Sequence, residues 1–293
     1  MELDERLQQI RDRIRAACEA AERDPAEVML LPVSKNHTAD AVRELTYHGC
    51  RVFGENRVQE AKLKISACPG NLEWHLIGHL QSNKCRDAVR FFSMIHSVDR
   101  MSIAEEINKH AHNAAKDMPV LLEVNVAGEA SKHGFAPGEV LEHLNAINDL
   151  PRLEIHGLMT LAPWSPEPEN VRGVFQRLRE IKEDCEQILG APLPHLSMGM
   201  SGDFEVAIAE GATIIRVGTA IFGPRHDRRK KSEQAGASRH TLRARLVYLR
   251  CRWKPRHSPS QIARLTPGCF SVPGNFHRTK RCAMPSQPAA HRS

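Results

Sequence analysis

The chain has 293 residues, of which 41% are hydrophobic and 26% are charged, proportions typical of a globular protein. No apolar run approaches the roughly 20 residues that a membrane-spanning helix requires, and no signal-peptide core is recognisable. The composition therefore argues against an integral membrane protein, and we expect a cytoplasmic one. The eight cysteines form no C-x-x-C pair and show no metal-ligand spacing, which indicates reduced thiols and not a disulfide framework.

The formal net charge of +6 averages two unlike segments. Residues 228–293 contain 16 lysines and arginines and a single acid, Glu233, whereas residues 1–227 contain 25 basic and 34 acidic residues. We predict one folded domain over 1–227, followed by a basic tail over 228–293 with too few aliphatic clusters to fold alone. An acidic body offers no general attraction to nucleic acid, so only the tail could attract phosphates, and without sequence specificity.

The predicted domain begins with a helical pattern over Leu3–Arg23 and then alternates short apolar runs with longer segments of helical period. Thr38 is a predicted N-cap for a helix over Thr38–Tyr47, and Gly190 is a predicted stop for a helix over Val171–Leu189. Eight runs have the length and composition of buried strands: Val28–Val33, Arg51–Gly54, Leu72–Gly78, Ser93–Val98, Val120–Val126, Leu153–Met159, His195–Met198 and Thr213–Val217.

This alternation predicts an α/β protein with a parallel sheet, and eight βα units in about 220 residues fit a closed (β/α)8 TIM barrel. The alternative is an open, doubly wound sheet. Because no G-x-G-x-x-G follows the first predicted strand, the barrel is the favoured prediction.

In such a barrel the reactive groups lie at the carboxyl ends of the strands. Lys35 follows the first predicted strand, and Ser201, Gly202, Gly218 and Thr219 follow the seventh and eighth, where hydroxyls and open backbone N–H groups suit a phosphate. One lysine at a strand end is usually only a surface charge, so the interpretation depends on the joint placement. A lysine amine opposite a phosphate site suggests pyridoxal 5'-phosphate (PLP), with a phosphorylated sugar as the competing ligand.

Six segments within residues 1 to about 225 carry a family resemblance: Leu31-Pro-Val-Ser-Lys35, Phe53-Gly-Glu-Asn56-Arg-Val-Gln-Glu60, Trp74-His-Leu-Ile-Gly-His79-Leu-Gln-Ser-Asn-Lys84, His156-Gly-Leu-Met159, Ser197-Met-Gly-Met-Ser201 and Val217-Gly-Thr-Ala-Ile-Phe-Gly223. In this order they resemble the YggS/PROSC family of PLP homeostasis proteins. The fold of that family is similar to the N-terminal barrel of alanine racemase, so the resemblance implies a barrel of that type.

The resemblance also implies a PLP pocket in which Lys35 holds the cofactor as a Schiff base. The other implied pocket residues are Asn56, His79, Met159, Ser201, Arg216, Gly218 and Thr219. By this resemblance, Ser201, Gly218 and Thr219 hold the phosphate, and Arg216 faces the pyridine nitrogen. No catalytic residue and no metal ligand is predicted.

Arg216 bears on the expected activity. An arginine is effectively always protonated, so beside the pyridine nitrogen it disfavours the pyridinium form and weakens the ring as an electron sink. The resemblance to alanine racemase implies that racemisation also needs a tyrosine base from a second domain. The only tyrosines are Tyr47, in the first barrel helix, and Tyr248, in the tail.

We therefore predict a monomeric protein that buffers PLP, or delivers it to apo-enzymes that depend on PLP, without robust turnover. The alternative is a fold-type III PLP-dependent amino-acid racemase or a related enzyme. A third hypothesis makes the tail an arm for nucleic acid or an acidic partner, although the tail departs from the family and resembles translation of a shifted reading frame.

Three other groups receive structural interpretations. Lys62 and Lys64 are predicted to lie on a solvated helix face, and His75 is predicted to be a packed histidine. The segment Lys132-His133-Gly134 follows the fifth predicted strand and could contribute to a lid, but its spacing assigns it no role.

Overall fold

The chain forms an eight-stranded parallel sheet in the computed structural model, which describes residues 2–224. The predicted tail lies outside the described residues, so its boundary at residue 228 stays a prediction. The strands are β1 Met29–Pro32, β2 Val52–Glu55, β3 Glu73–Leu76, β4 Met94–Val98, β5 Met118–Glu123, β6 Leu153–Met159, β7 His195–Ser197 and β8 Ile214–Val217. Each overlaps the run predicted for it.

The sheet curls into a nearly closed barrel. Strand β1 pairs with β8, and the strands then follow one another from β8 back to β2. The first and second strands meet through a parallel bridge between Val33 and Gly54, where the Ser34 N–H donates to the Gly54 carbonyl at 3.0 Å. The predicted barrel is therefore confirmed, and the open, doubly wound alternative is wrong.

Helices connect the strands on the outside of the barrel. They are α1 Leu3–Ala20, α2 Ala39–Tyr47, α3 Val58–Ile65, α4 Cys85–Phe91, α5 Met101–Asn113, α6 Pro137–Asn148, α7 Arg172–Leu189, α8 Phe204–Ala209 and α9 Thr219–Phe222. None of these helices combines the length and the apolar character that crossing a bilayer requires.

The helix ends follow the local chemistry of the sequence. The Thr38 hydroxyl caps α2 by accepting a hydrogen bond from the Ala41 N–H at 3.3 Å, as predicted. Gly190 ends α7 in the left-handed conformation, with φ 64°. Helix α1 ends before the predicted Arg23 because Glu22 takes a left-handed φ of 53°, and Arg23 instead donates to the carbonyls of Ile208 and Ala212.

Two apolar clusters hold the barrel together. The larger lies between strands and helices, where α1, for example, buries Leu3, Leu7, Ile10 and Ile14 at helical spacing. The smaller comprises Leu31, Val33, Ile77, Met94, Leu121, Met159 and Ile214, contributed by strands β1, β4, β5, β6 and β8 and by the loops after β1 and β3. The residues of this second cluster alternate along the strands and point into the barrel. They form the apolar layer directly below the polar residues at the carboxyl ends of the strands.

Gly157 permits the close approach of β6 to β7. It has φ 149°, and a Cβ built on it would lie 1.9 Å from the His195 carbonyl oxygen on the paired strand. We expect Gly157→Ala to lower the free energy of unfolding by on the order of 3 kcal/mol or more, because the two strands would have to separate.

Chemical denaturation of both variants measures this effect against Gly173→Ala in α7. A Cβ at Gly173 has open space, with nothing within 4 Å. That variant should be neutral, or more stable by up to about 1 kcal/mol. Equal stabilities for the two variants would contradict the strand-contact explanation.

Candidate functional site

A cavity of about 680 Å³ opens at the carboxyl ends of the strands. Seven of the eight predicted site residues line it: Lys35, Asn56, His79, Ser201, Arg216, Gly218 and Thr219. The eighth, Met159, does not line the cavity. It is fully buried below, in the interior cluster with Val33 and Ile77, which do line it. The volume lies in the range usual for a small-molecule or cofactor pocket.

Charged side chains hold the backbone on both sides of Lys35. The Lys64 ammonium donates to the Ser34 carbonyl at 2.6 Å and pairs with the Glu55 carboxylate. On the other side, the Asn36 N–H donates to the Glu60 carboxylate at 2.6 Å. The main chain at Lys35 is therefore held through its two neighbours, Ser34 and Asn36, while the Lys35 side chain lines the cavity.

The prediction that Lys64 lies on a solvated helix face was wrong. Its side chain is only 5% exposed, against 52% for Lys62, which does face solvent. Helical spacing cannot distinguish the two, because the acid that draws Lys64 inward, Glu55, comes from the end of β2. Burial raises the pKa of Glu55, and the charge and hydrogen bonds of Lys64 oppose that increase.

Arg216 is buried at the cavity floor, on β8. It donates to the Ser197 carbonyl at 2.6 Å, the Ser197 hydroxyl at 2.8 Å and the Thr160 carbonyl at 2.7 Å. Burial lowers the pKa of Arg216 to about 10, and the charges of Asp203 and Glu123 oppose that decrease. The guanidinium is therefore still cationic at neutral pH, and its orientation is set by three acceptors.

A chain of neutral groups continues from Arg216 into the barrel. His96 Nδ1 lies 3.0 Å from the Ser197 hydroxyl oxygen, and His96 Nε2 lies 3.0 Å from His75 Nδ1. Burial lowers the pKa of His75 to about 4 and that of His96 well below its usual range. Since Ser197 accepts from Arg216, its hydroxyl can donate to a neutral His96, which in turn donates to His75. The prediction of a packed His75 is confirmed.

The loops after β7 and β8 form the wall of the cavity next to the loop that carries Lys35, because β8 pairs with β1. The sequence-based expectation of a lysine opposite the phosphate wall is therefore wrong, since the barrel closes between β1 and β8. The Met200 N–H donates to the Asp203 carboxylate at 2.5 Å, which shapes the turn that carries Ser201 and Gly202. Gly218 packs closely on β1, since a Cβ there would lie 3.3 Å from the Val33 carbonyl oxygen. Thr219 begins α9 beside it, so hydroxyls and N–H groups meet at one wall.

Asn56 and Glu123 each keep a buried polar atom without a hydrogen bond from any described residue. These atoms are Asn56 Oδ1 and Glu123 Oε2. Gly78 allows the approach of Asn56, because a Cβ at Gly78 would lie 2.3 Å from the Asn56 carbonyl oxygen. Buried polar atoms usually have partners, so both residues are suited to contact a polar ligand.

The cavity also contains residues that the predicted site omitted. Glu123, Lys132, His133, Trp164 and Asp203 all line it. Lys132 and His133 belong to the segment noted after the fifth predicted strand, so their position was the available signal. Glu123 ends β5 inside an apolar run and carried no such signal.

Comparison with known proteins gives the family. The model of the alanine racemase N-terminal domain matches residues 6–226. A pyridoxal phosphate homeostasis protein of Aquifex aeolicus is 45% identical over 222 residues, covering 75% of this chain and 97% of the relative. The chain belongs to the pyridoxal phosphate homeostasis protein family. The YggS/PROSC resemblance is thereby confirmed.

Solved structures extend this family assignment. PipY of Synechococcus elongatus PCC7942 with PLP bound superposes with a TM-score of 0.67 at 38% identity, covering 76% of this chain and all of PipY. Alanine racemase of Clostridium difficile 630 matches with a TM-score of 0.58 at 15% identity, which shows the shared fold alone. The match covers 74% of this chain but only 58% of the racemase.

Because Lys64 is buried and Lys62 is exposed, replacing each of them should change the stability of the protein by very different amounts. Lys64→Met leaves the Glu55 carboxylate buried without its counter-charge, and we expect it to lower the free energy of unfolding by about 3–5 kcal/mol. Lys62→Met removes an exposed pair with Asp87 at 3.7 Å and a contact of the ammonium with the Phe91 ring at 5.6 Å, and it should change the free energy of unfolding by less than about 1 kcal/mol. Urea denaturation checks both, and similar values for the two variants would contradict the burial of Lys64.

The raised pKa of Glu123 should make the stability of the protein depend on pH. Burial and then the charge of Asp99 raise its pKa from 4.5 to about 7, against the opposing charge of Arg216. Between these two pH values the folded protein holds a proton that the unfolded chain releases. The free energy of unfolding should therefore fall by on the order of 3 kcal/mol as pH rises from about 4.5 to about 7.

Comparing cofactor-free wild type with Glu123→Gln isolates this contribution from those of the buried histidines. The variant should match wild type at low pH and exceed its stability at pH 8. The matched control is Glu142→Gln, at an exposed position of α6. Parallel pH profiles for wild type and Glu123→Gln would show that Glu123 does not titrate in this range.

Proposed function

We propose that this protein binds PLP in the cavity at the strand ends and buffers it or delivers it to other proteins. The observation that carries the proposal is one cavity lined by an amine, Lys35, by a hydroxyl and glycine wall, and by a buried guanidinium. Its volume of about 680 Å³ suits a cofactor of this size. The PLP bound by the relative PipY supports the same ligand.

The cavity residues fit this cofactor group by group. Ser201, Thr219 and the Gly218 backbone suit a phosphate ester, because hydroxyls and unobstructed N–H groups donate to its oxygens. Arg216 is fixed where a ring nitrogen could accept from it, and the free acceptor Asn56 Oδ1 faces a polar ligand. Once bound, the cofactor would supply an aldehyde carbon with which an amine such as that of Lys35 can form a reversible covalent bond.

Storage and transfer suit this site better than catalysis. Arg216 stays cationic and hydrogen-bonded to three oxygens, so it can donate to the ring nitrogen but has no proton to share readily at neutral pH. A protonated ring nitrogen is therefore disfavoured, and with it the stabilisation of a substrate carbanion. Tyr47, the one tyrosine among residues 2–224, is 86% exposed and does not line the cavity.

The proposal includes the recipients and setting expected from the sequence. Apo-enzymes that depend on PLP are the proposed recipients, and the protein is proposed to act as a monomer without specific nucleic-acid binding. The described cysteines are free thiols at positions 18, 50, 68, 85 and 185. Free thiols support a reducing, cytoplasmic setting.

An amino-acid racemase or related enzyme is the second candidate. The observation that favours it is the number of ionisable side chains in the cavity besides Lys35, namely Glu123, Lys132 and His79. Any of them could move a proton if a substrate reached it.

Borohydride reduction followed by peptide mapping tests the cofactor and its anchor. Wild type with added PLP should give one reduced adduct on Lys35 and a visible absorption band, and Lys35→Ala should lose both. Lys109→Ala, at a side chain that is 62% exposed on α5, is the matched control and should keep them. No adduct in wild type, or adducts spread over many lysines, would overturn the proposal.

Exchange of the amino-acid α-proton in deuterated water distinguishes the carrier from the enzyme. The holo-protein should exchange no faster than free PLP at the same concentration. Transfer of PLP to an apo-enzyme, followed by the recovery of that enzyme's activity, is the matching positive assay. Stereospecific exchange that depends on Lys35 would favour the racemase.

A further inference from the structure

Three potential metal ligands meet at the rim of the cavity, contributed by three neighbouring strands. His79 follows β3, Asp99 directly follows β4, and His133 lies in the loop after β5. One ligand atom from each, the two imidazole nitrogens and a carboxylate oxygen, all lie within 4.8 Å of one another. Among residues 2–224 this is the single group of three or more such side chains.

The two histidines each bring one ring nitrogen close to the same carboxylate oxygen of Asp99. His79 Nδ1 lies 2.8 Å from Asp99 Oδ2, and His133 Nδ1 lies 3.8 Å from the same oxygen. The two imidazole rings stack, with centroids 3.6 Å apart and planes inclined by 13°. Because an imidazole binds a metal ion in the plane of its ring, one of these two nearly parallel rings must turn before both Nδ1 atoms can hold the same ion.

These distances suit a tetrahedral ion. Bonds of about 2.0–2.1 Å to Zn²⁺ place neighbouring ligand atoms about 3.3 Å apart. The two observed separations from Asp99 Oδ2 lie on either side of that value, so each needs a shift of about half an ångström. The His133 side chain is 57% exposed and can make such an adjustment.

The charges around the cluster also favour a cation. Asp99 is buried, and the carboxyl group of Glu123 lies near enough for the charge of Asp99 to raise its pKa, so two acidic groups are close to the histidines. Arg100 offsets part of this charge by donating to the other oxygen of Asp99, Oδ1, at 2.6 Å. Asp99 Oδ2 therefore stays directed at the two histidines, and Arg100 holds the carboxylate in that orientation.

We propose that His79, Asp99 and His133 form a binding site for a divalent transition-metal ion of the Zn²⁺ class. Two imidazoles and one carboxylate are a ligand set that Zn²⁺ uses when a fourth position stays open. Here the fourth position faces the cavity, because both histidines line it. The ion would join the loop after β5 to the end of β3 across the cavity rim.

The sequence did not indicate this site because its ligands come from three different strand ends. The site shares the cavity and His79 with the proposed PLP site, but Lys35 takes no part in it. The full-length Lys35→Ala chain should therefore bind the metal as wild type does, and failure of one proposal leaves the other standing.

Metal titration with a chromophoric chelator tests the proposal on the full-length chain in buffer free of phosphate and PLP. Wild type should take up one more equivalent of Zn²⁺ than His133→Ala, or should bind that equivalent at least tenfold more tightly. His112→Ala, at an exposed position of α5, is the matched control and should behave as wild type does. Circular dichroism of each variant establishes that it is folded.

Cobalt substitution identifies the ligands directly. Co²⁺ bound to wild type at this site should show d–d bands without a thiolate charge-transfer band, since the three ligands are nitrogen and oxygen. His133→Cys should add a thiolate charge-transfer band, because it replaces one ligand by another. Spectra and affinities that are unchanged in both His133→Ala and His133→Cys would overturn the proposal, as metal binding would then lie elsewhere, for example at the cysteines.

Discussion

The interior of this barrel is arranged around one buried charge, the guanidinium of Arg216. Moving such a charge from water into a protein interior costs roughly several kcal/mol of free energy unless acceptors and opposite charges replace the solvent. Ser197 and Thr160 provide the acceptors, while Asp203 and Glu123 provide the negative field. The Ser197 hydroxyl also connects Arg216 to two buried neutral histidines, His96 and His75.

Lys35, in the loop after β1, and Arg216, on the neighbouring β8, have different surroundings that suit different roles. Arg216 donates to three acceptors and also lines the cavity, so it can orient a ligand but cannot readily exchange a proton. Lys35 has its backbone fixed by Lys64 and Glu60, while its side chain lines the cavity. A fixed main chain with a side-chain amine at the cavity wall suits a reversible covalent anchor.

This protein and alanine racemase share a fold, but a shared fold does not by itself give a shared chemistry. Both proteins share the barrel, but the match spans only 58% of the racemase chain. In this chain the barrel brings an amine, a wall of hydroxyls and glycines, and an arginine to one cavity. Whether such a site turns over a substrate depends on which acids and bases reach the face opposite the amine, because proton transfer requires direct contact or one intervening water.

The sequence alone determined the barrel and the cavity residues that directly follow strands. Period-two and helical patterns are local, and parallel strands bring their carboxyl ends to one edge, so Lys35, Ser201, Gly218 and Thr219 could be placed together without coordinates. Only the tertiary structure decided that Lys64 is buried against Glu55, that Met159 lies below the cavity, and that His133 stacks on His79 beside Asp99. Each of these depends on register and side-chain direction between separate strands, which no local pattern encodes.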